Sequence, residues 1–575
     1  MEAAWDEAAA DGLARALGLH PLAARVLAAR GLGEAERAGR FLRAGLEDLP
    51  DPFFMKGMAA AVERVVRAVE GGERIACYGD YDVDGVTSTA LLAGFLRAAG
   101  ADVVTYTPHR LVEGYGLNER AVETLAGRGV RLLVTLDCGI TSVAEVQAAA
   151  RLGVEVVVVD HHTVPVELPA AAAILNPHQP GCDYPSKHLA AVGVTFALCM
   201  ALRRRLRERG RFGEGRPEPN LRQALDLVAL GTVADVVPLT EANRVLVRHG
   251  LAELSRSRRP GVRALKSVAG ISEGAAVSAG QVGFRLAPRL NAAGRLDDAG
   301  RGVRLLLESD PAAAAALAEE LDRENRARQE IERRMLEEAL ADAAAHVRRG
   351  ARGLVLAREG WHPGVVGIAA ARVAERFHRP AVLVGVDGGV GKGSGRSVDG
   401  FHLYDALSAC RGHLSRFGGH RHAAGVTVEA AALPAFREAF ERHAAERLRD
   451  EDLVPRCRIE GWVEPERLDP RAAADLERLA PFGAGHPEPL FAVRVTPARC
   501  RVVGAGRAHL KMSLGPLDAI GFGMGERLSL CGGAVEAAVA LGWDDWDGTR
   551  RLQLRVKDLR AAAGSAGATG PTSGR

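Results

Sequence analysis

At 575 residues, the chain is long enough for about three or four domains of roughly 100–200 residues each. Its 47% hydrophobic and 26% charged residues are ordinary for globular protein, and a net charge of +3 excludes a bulk polycation. Any surface for nucleic acid therefore has to be local. Only six of the 75 basic residues are lysines, an arginine bias that a GC-rich genome explains without invoking phosphate recognition. Eight cysteines form no CxxC pair, which argues against a zinc ribbon, and Cys77 and Cys138 sit in apolar runs as small buried hydrophobes. The acidic N-terminus lacks the basic start of a signal peptide, and no run of about 18 apolar residues is present. The chain reads as cytoplasmic, with no membrane partner.

Residues 1–70 are rich in Ala and Leu at helical spacing. Apolar runs follow at 73–79, 132–136 and 154–159, separated by helical stretches at 87–99 and 143–152. Continuous apolar strands between helices predict an α/β fold with a parallel sheet covered on both faces. Ligands of such sheets bind beyond the carboxyl ends of the strands, where Asp80, Asp82, Asp137 and Asp160 fall. Residues 203–220 read as a basic helix end and loop, and 221–305 as a further helical block. From Pro311 a run free of Gly and Pro to residue 349 predicts a helix of roughly 55 Å, long enough to bridge domains.

A second α/β unit is expected from a strand at 353–357, a helix at 364–377 and a strand at 381–386, with a glycine-rich stretch at 388–397. Short strands at 456–463, 490–503, 509–514, 534–541 and 551–556 suit a C-terminal β-barrel such as an OB-fold. The resulting divisions are a helical segment at 1–70, a catalytic α/β domain at 71–305, a connecting helix at 306–350, the second α/β domain at 351–450, the barrel at 455–560 and a disordered tail at 561–575.

The most informative stretch is Gly79-Asp80-Tyr81-Asp82-Val83-Asp84-Gly85. Three carboxylates at alternate positions after a strand repel one another unless a cation neutralises them. Hard oxygen ligands in excess favour Mg²⁺ or Mn²⁺. Three further sites follow the same logic: Asp137 in Thr-Leu-Asp-Cys-Gly, the triplet Asp160-His161-His162 closing a β-branched run, and Asp235 in the apolar Ala-Asp-Val-Val-Pro. The helix expected after Gly364 offers a free N-terminus for an anion. The Gly388–Gly395 stretch lacks the spacing of a Walker loop, so its glycines read as places where backbone N–H groups meet a nucleic-acid phosphate.

These four motifs, in this order, resemble the DHH phosphoesterase superfamily, named for the triplet seen here as Asp160-His161-His162, and most closely its branch of single-strand nucleases. The resemblance runs from about Asp51 to Val556. It implies the DHH domain, a DHH-associated domain and the OB-fold, and a binuclear centre of two divalent cations, Mn²⁺ or Mg²⁺, held by Asp82, Asp84, Asp137, His161 and Asp235. It makes Asp80, His162 and Arg289 catalytic. It places Arg110, Asn291, Trp361, His362, Arg372, Ser394, Arg396, Ser397, Gly419 and His420 on the nucleic acid. The implied activity is a single-strand-specific 5′→3′ exodeoxyribonuclease that releases 5′-mononucleotides in recombination and repair. Its implied partners are single-stranded DNA, a single-strand-binding protein and a RecQ-type helicase, with the chain a monomer. A hydrolase of short oligonucleotides or cyclic dinucleotides, and a non-catalytic DNA-binding scaffold, are the alternatives. The extra C-terminal region argues against the first, and the full set of carboxylates against the second.

Overall fold

The computed structural model describes residues 2–110, 112–296, 299–544 and 549–562. The expected tail lies outside them from residue 563, and Ala561 belongs to the last strand. The chain forms two compact units, one of Asp51–Asp235 with Gly250–Pro455, the other from the described parts of Met1–Pro50, Val236–His249 and Arg456–Arg575.

The larger unit contains two sheets. The first has five parallel strands: β1 (Arg74–Gly79), β2 (Val103–Tyr106), β3 (Val130–Leu136), β4 (Glu155–Val159) and β5 (Ala173–Leu175), in the order β2-β1-β3-β4-β5. Past their first residues, the central strands β1 and β4 are buried throughout and β3 nearly so, the signature of a sheet covered on both faces. Met58–Gly71 and Ala191–Glu208 pack on this unit, so the helix at 58–71 belongs with the sheet and not with an N-terminal segment. The long helix runs from Pro311 to Arg348, its N-terminus capped by Asp310, and leads to the second sheet.

That second sheet joins β6 (Leu354–Glu359), β7 (Ala381–Asp387), β8 (Val390–Arg396), β9 (Arg416–Gly419) and β10 (Ala423–Glu429) in the order β6-β7-β8-β10-β9. The glycine-rich stretch is therefore a central strand and not a phosphate cradle. Residues 390–396 pair with β7 on one side, and β10 covers the other. A Cβ at Gly391 would sit 2.6 Å from Val384, and one at Gly393 2.7 Å from the Leu383 carbonyl. The glycines are there because neighbouring layers occupy the space of a side chain.

In the smaller unit, β11 (Phe491–Val495), β12 (Ala498–Val503), β13 (His509–Leu514), β14 (Leu517–Gly521), β15 (Val535–Asp544) and β16 (Arg551–Ala561) form one sheet in the order β11-β15-β16-β14-β13-β12. Residues 456–463, read as a strand, make only isolated bridges at Ile459 and Trp462, and β14 was not anticipated. Leu22, Val26 and Leu27 from the N-terminal helices share one core with Phe491, Val493 and Leu510. Arg244 is fully buried there, with its guanidinium 3.7 Å from the Phe41 ring and donating to the carbonyls of Phe41, Leu479 and Ala480.

Candidate metal centre and anion-binding cluster

Asp80, Asp137 and Asp160 reach one pocket because each follows a strand of the parallel sheet and is still tied to the next strand, while Asp235 arrives from the C-terminal end of the helix Leu225–Ala234. The N–H of Asp80 donates to Leu136, that of Asp137 to Val159 and that of Asp160 to Leu175, all within 3.1 Å. Asp82 caps the helix Val83–Ala98, one carboxylate oxygen accepting from the N–H groups of Asp84 and Gly85. A Cβ at Gly85 would collide with the Asp80 backbone, so the loop closes only around glycine. Asp84 accepts from the first N–H groups of Ala191–Glu208 at 2.6 and 2.8 Å, which fixes its side chain toward the pocket floor. Asp137 takes a left-handed φ of 64°, tolerable for Asp and placing its carboxylate across from the triplet.

Ligand atoms of three groups lie within 4.8 Å of one another: Asp80, Asp82 and Asp137; Asp137, His161 and His162; and Asp84, His161 and Asp235. The His161 Nε2 atom is 3.3 Å from Asp137, 3.6 Å from Asp235 and 3.9 Å from Asp84. Asp80 Oδ1, Asp137 Oδ1, His161 Nε2 and Asp235 Oδ2 are all buried without a hydrogen-bond partner. Four converging orphan acceptors are costly in a protein interior and fit a hard divalent cation. Burial, reinforced by neighbouring carboxylates, pushes Asp84 up to about 7 and Asp235 up to about 9, and holds Asp80 and Asp137 well above the usual range. Burial and the nearby His162 charge push His161 down to about 4, leaving a neutral imidazole fit for ligation.

His162 is different. Burial disfavours its charge, but the 2.7 Å hydrogen bond from Nδ1 to Asp160 and the surrounding acids outweigh it and raise it to about 9. The Asp160 carboxylate also accepts from the N–H groups of Ile140, His161 and His162, so it orients the triplet and is no pocket ligand. Tyr115 adds a hydroxyl 3.2 Å from His162 Nδ1 and 3.3 Å from the Asp137 carbonyl. Sequence reading gave neither residue this role, because only the fold brings the segment after β2 beside β3 and β4.

Several expected nucleic-acid contacts have other partners. The guanidinium of Arg289 is bound to Asp322 at 2.9 Å and to the Arg285 and Val268 carbonyls, clamping Ala287–Leu296 to the long helix instead of facing the pocket. Asn291 accepts from the Val83 N–H at 3.2 Å and so holds the acid loop. Trp361 is 4% exposed and donates to Glu338, so it is core and not a strand contact. Ser397 donates to the Phe401 carbonyl, and His362 accepts from the Gly364 N–H, each shaping its own turn. Arg372 is exposed beside Glu375. Gly419 takes a φ of 144° where a Cβ would strike β10, and next to it His420 feels the charges of His422, Arg396 and His162.

Arg110, Arg295 and Arg396 instead form a cluster. Burial and then the Arg110 charge lower Arg396. Burial, followed by Arg110, Arg328 and Arg396, lowers Arg295 to about 10. Arg110 packs over the Tyr81 ring at 4.7 Å and lies in Coulomb reach of Asp80. Arg396 holds Ser394 at 2.8 Å, and Arg295 donates to the Gly364 carbonyl at 3.0 Å. Among the described residues, no carboxylate pairs with any of the three. Like charges gathered without a paired carboxylate make a candidate anion site. Arg295 was not among the residues that the sequence pointed to.

The DHH family, N-terminal domain matches residues 74–232, the DHHA1 domain matches 350–446 and the RecJ OB domain matches 459–558. Fold and site thus define a metal-dependent nuclease of the DHH phosphoesterase class. The single-stranded-DNA-specific exonuclease RecJ of Dickeya dadantii is 42% identical over 94% of this chain and 96% of its own length. The Bacillus subtilis protein of the same description is 39% identical, covering 96% of this chain and 70% of its own. The crystal structure of RecJ in complex with Mn²⁺ from Thermus thermophilus superposes with a TM-score of 0.81 at 35% identity, covering 96% of this chain and 78% of that one. A Mg²⁺ complex of RecJ from the same organism gives 0.75 at 33% identity, over 96% and 76%. The chain belongs to the RecJ family of single-stranded-DNA-specific exonucleases.

Proposed function

We propose that the chain degrades single-stranded DNA from its 5′ end, releasing 5′-mononucleotides with two divalent cations in the acid pocket. The observation that carries this reading is the unpaired guanidinium cluster beside the orphaned acids. A 5′-terminal phosphate has two charges to share among Arg110, Arg295 and Arg396, whereas a 3′-hydroxyl end offers them none. With that phosphate held, the first phosphodiester falls on the acids. Asp137 and His161 each belong to two of the three ligand groups. Asp82, Asp84, Asp137, His161 and Asp235 would hold them, with Asp80 alongside. Bound there, the cations lower the pKa of a water and neutralise charge on the phosphoryl oxygens.

The chain's own groups supply the rest. His162 is oriented through Nδ1 by Asp160, whose carboxylate favours the charged imidazole, and its Nε2 would donate to the leaving 3′-oxygen. Asn291 and Asp84 fix the acid loop, and Arg396 with Ser394 orients the terminal phosphate. Single-strand preference follows from a passage between the two α/β domains of the larger unit too narrow for duplex. A role in recombination and repair, with single-strand-binding protein and a RecQ-type helicase as partners and a monomeric chain, completes the proposal. The test is digestion of end-labelled DNA in Mn²⁺. Release of labelled mononucleotide from the 5′ end of single strands alone is expected. Equal digestion of duplex, or release from the 3′ end, refutes it, and faster turnover of dinucleotides than of long strands points to a short-substrate hydrolase.

A further inference from the structure

We propose that Phe284 is a base-stacking residue that grips the strand on the 3′ side of the bond being cut. The inference rests on the exonuclease reading above and adds a contact to it. Phe284 is 82% exposed, while Val282 and Leu286, two positions to either side, are buried. It lies on a five-residue π-helical turn, Val282–Leu286, that runs directly into Ala287–Leu296. Turns of this kind concentrate at functional sites because the extra residue redirects a side chain that an α-helix would place elsewhere. Arg285, next to it, donates to the carbonyls of Ala269 and Gly270, which anchors the turn. Among the described residues, no ring or guanidinium stacks on Phe284.

Its position along the helix gives the ring a purpose. Gly283 faces Val233, two residues before Asp235, so the turn borders the acid pocket. Asn291 holds the Val83 N–H inside the acid loop. Arg295, at the far end, belongs to the guanidinium cluster. At 1.5 Å per residue, Asn291 and Arg295 are about 6 Å apart along the axis, and Phe284 and Asn291 about 10 Å. One helix therefore carries, in order, an exposed aromatic face, the anchor of the acids and the anion cluster. A strand with its 5′-phosphate on Arg295 and its first phosphodiester on the acids continues toward Phe284. Every base has a π-face, so stacking there holds the strand without reading its sequence.

The experiment compares the full-length chain with Phe284→Ala and Phe284→Trp on a 5′-phosphorylated oligonucleotide in Mn²⁺. A second substrate set carries one abasic nucleotide moved stepwise through the first several positions. Phe284→Ala is expected to raise KM about tenfold, the size of one base–aromatic stack, with kcat within about twofold, and Phe284→Trp to restore KM. An abasic nucleotide at one position should cost the parent chain the same factor and cost Phe284→Ala nothing further. An unchanged KM, or an abasic penalty that adds fully to the substitution at every position, overturns the proposal. Fluorescence anisotropy in an Asp137→Ala background repeats the comparison without cleavage. If the parent chain hydrolyses no single strand, the exonuclease reading fails, and the anisotropy result still decides whether Phe284 stacks on a base.

Discussion

The two sheets of the larger unit put their charges to opposite uses. The parallel sheet gathers Asp80, Asp137 and His161 at the carboxyl ends of β1, β3 and β4, and with Asp235 from a helix end they bring together four ligand atoms buried without hydrogen-bond partners. Across from it, the sheet containing β8 contributes Arg396 and Ser394, which join Arg110 and Arg295 in a cluster without carboxylates. Had the two sets been interleaved, they would have neutralised one another as ion pairs. Left unpaired, one set is suited to cations and the other to an anion.

Removing the cation side should have the largest effect. Asp137→Ala, which strips a ligand shared by two groups, is expected to lower Mn²⁺-dependent hydrolysis about a thousandfold or more while single-strand binding at low salt persists. Residual cleavage near the parent rate would take Asp137 out of the site. The anion side is probed by Arg396→Ala. The preference in kcat/KM for 5′-phosphorylated over 5′-hydroxyl strands should fall about 10- to 100-fold, the worth of a charge-assisted hydrogen bond or two. Loss of activity on both strands alike would give Arg396 a purely structural role.

The acids also make a pH prediction. Burial and neighbouring carboxylates push Asp84 up to about 7 and Asp235 up to about 9 in the folded protein, above their unfolded values. Between pH 4 and 9 the metal-free fold therefore holds more protons than the unfolded chain, and stability drawn from these groups is lost as pH rises. Mn²⁺ displaces those protons. The gain in Tm on adding saturating Mn²⁺ should accordingly grow from pH 5 to pH 9 in calorimetry, and a gain that shrinks with pH would contradict the assignment.

Smaller effects separate positioning from contact. Asn291→Ala should cost a few-fold in kcat and raise the Mn²⁺ concentration at half-maximal rate, because one hydrogen bond to the acid loop is worth about 1 kcal/mol. Trp361→Phe should leave strand affinity unchanged and cost about 1–3 kcal/mol of stability, from the cavity a smaller ring leaves in the core together with the lost hydrogen bond to Glu338. A clear loss of binding in Trp361→Phe would return that residue to the interface.

Much of this was legible in the chain. Asp80, Asp137 and the 160–162 triplet directly follow apolar β runs, and strand ends of parallel sheets are where ligands bind, so they were legible as candidates, whereas Asp235 ends the helix Leu225–Ala234. The roles of Arg289, Asn291 and Trp361 did not. A polar side chain in a small-residue segment has the same appearance whether it meets a ligand or a backbone N–H, and the difference lies in neighbours 23 to 208 positions away. The glycines of β8 misled for a related reason. Local reading treats glycine as an opening for a ligand, whereas Val384 and Leu383 fill that opening.

By itself, the order of residues determined the α/β class, the strand ends and the chemical identity of the candidate metal-binding groups, because periodicity and acid spacing are local properties of the chain. Tertiary structure decided which arginines lack acidic partners, that Asp160 serves His162, and that Phe284 stays outside the core. Those outcomes depend on which distant segments share a few ångströms, and no local pattern encodes that distance.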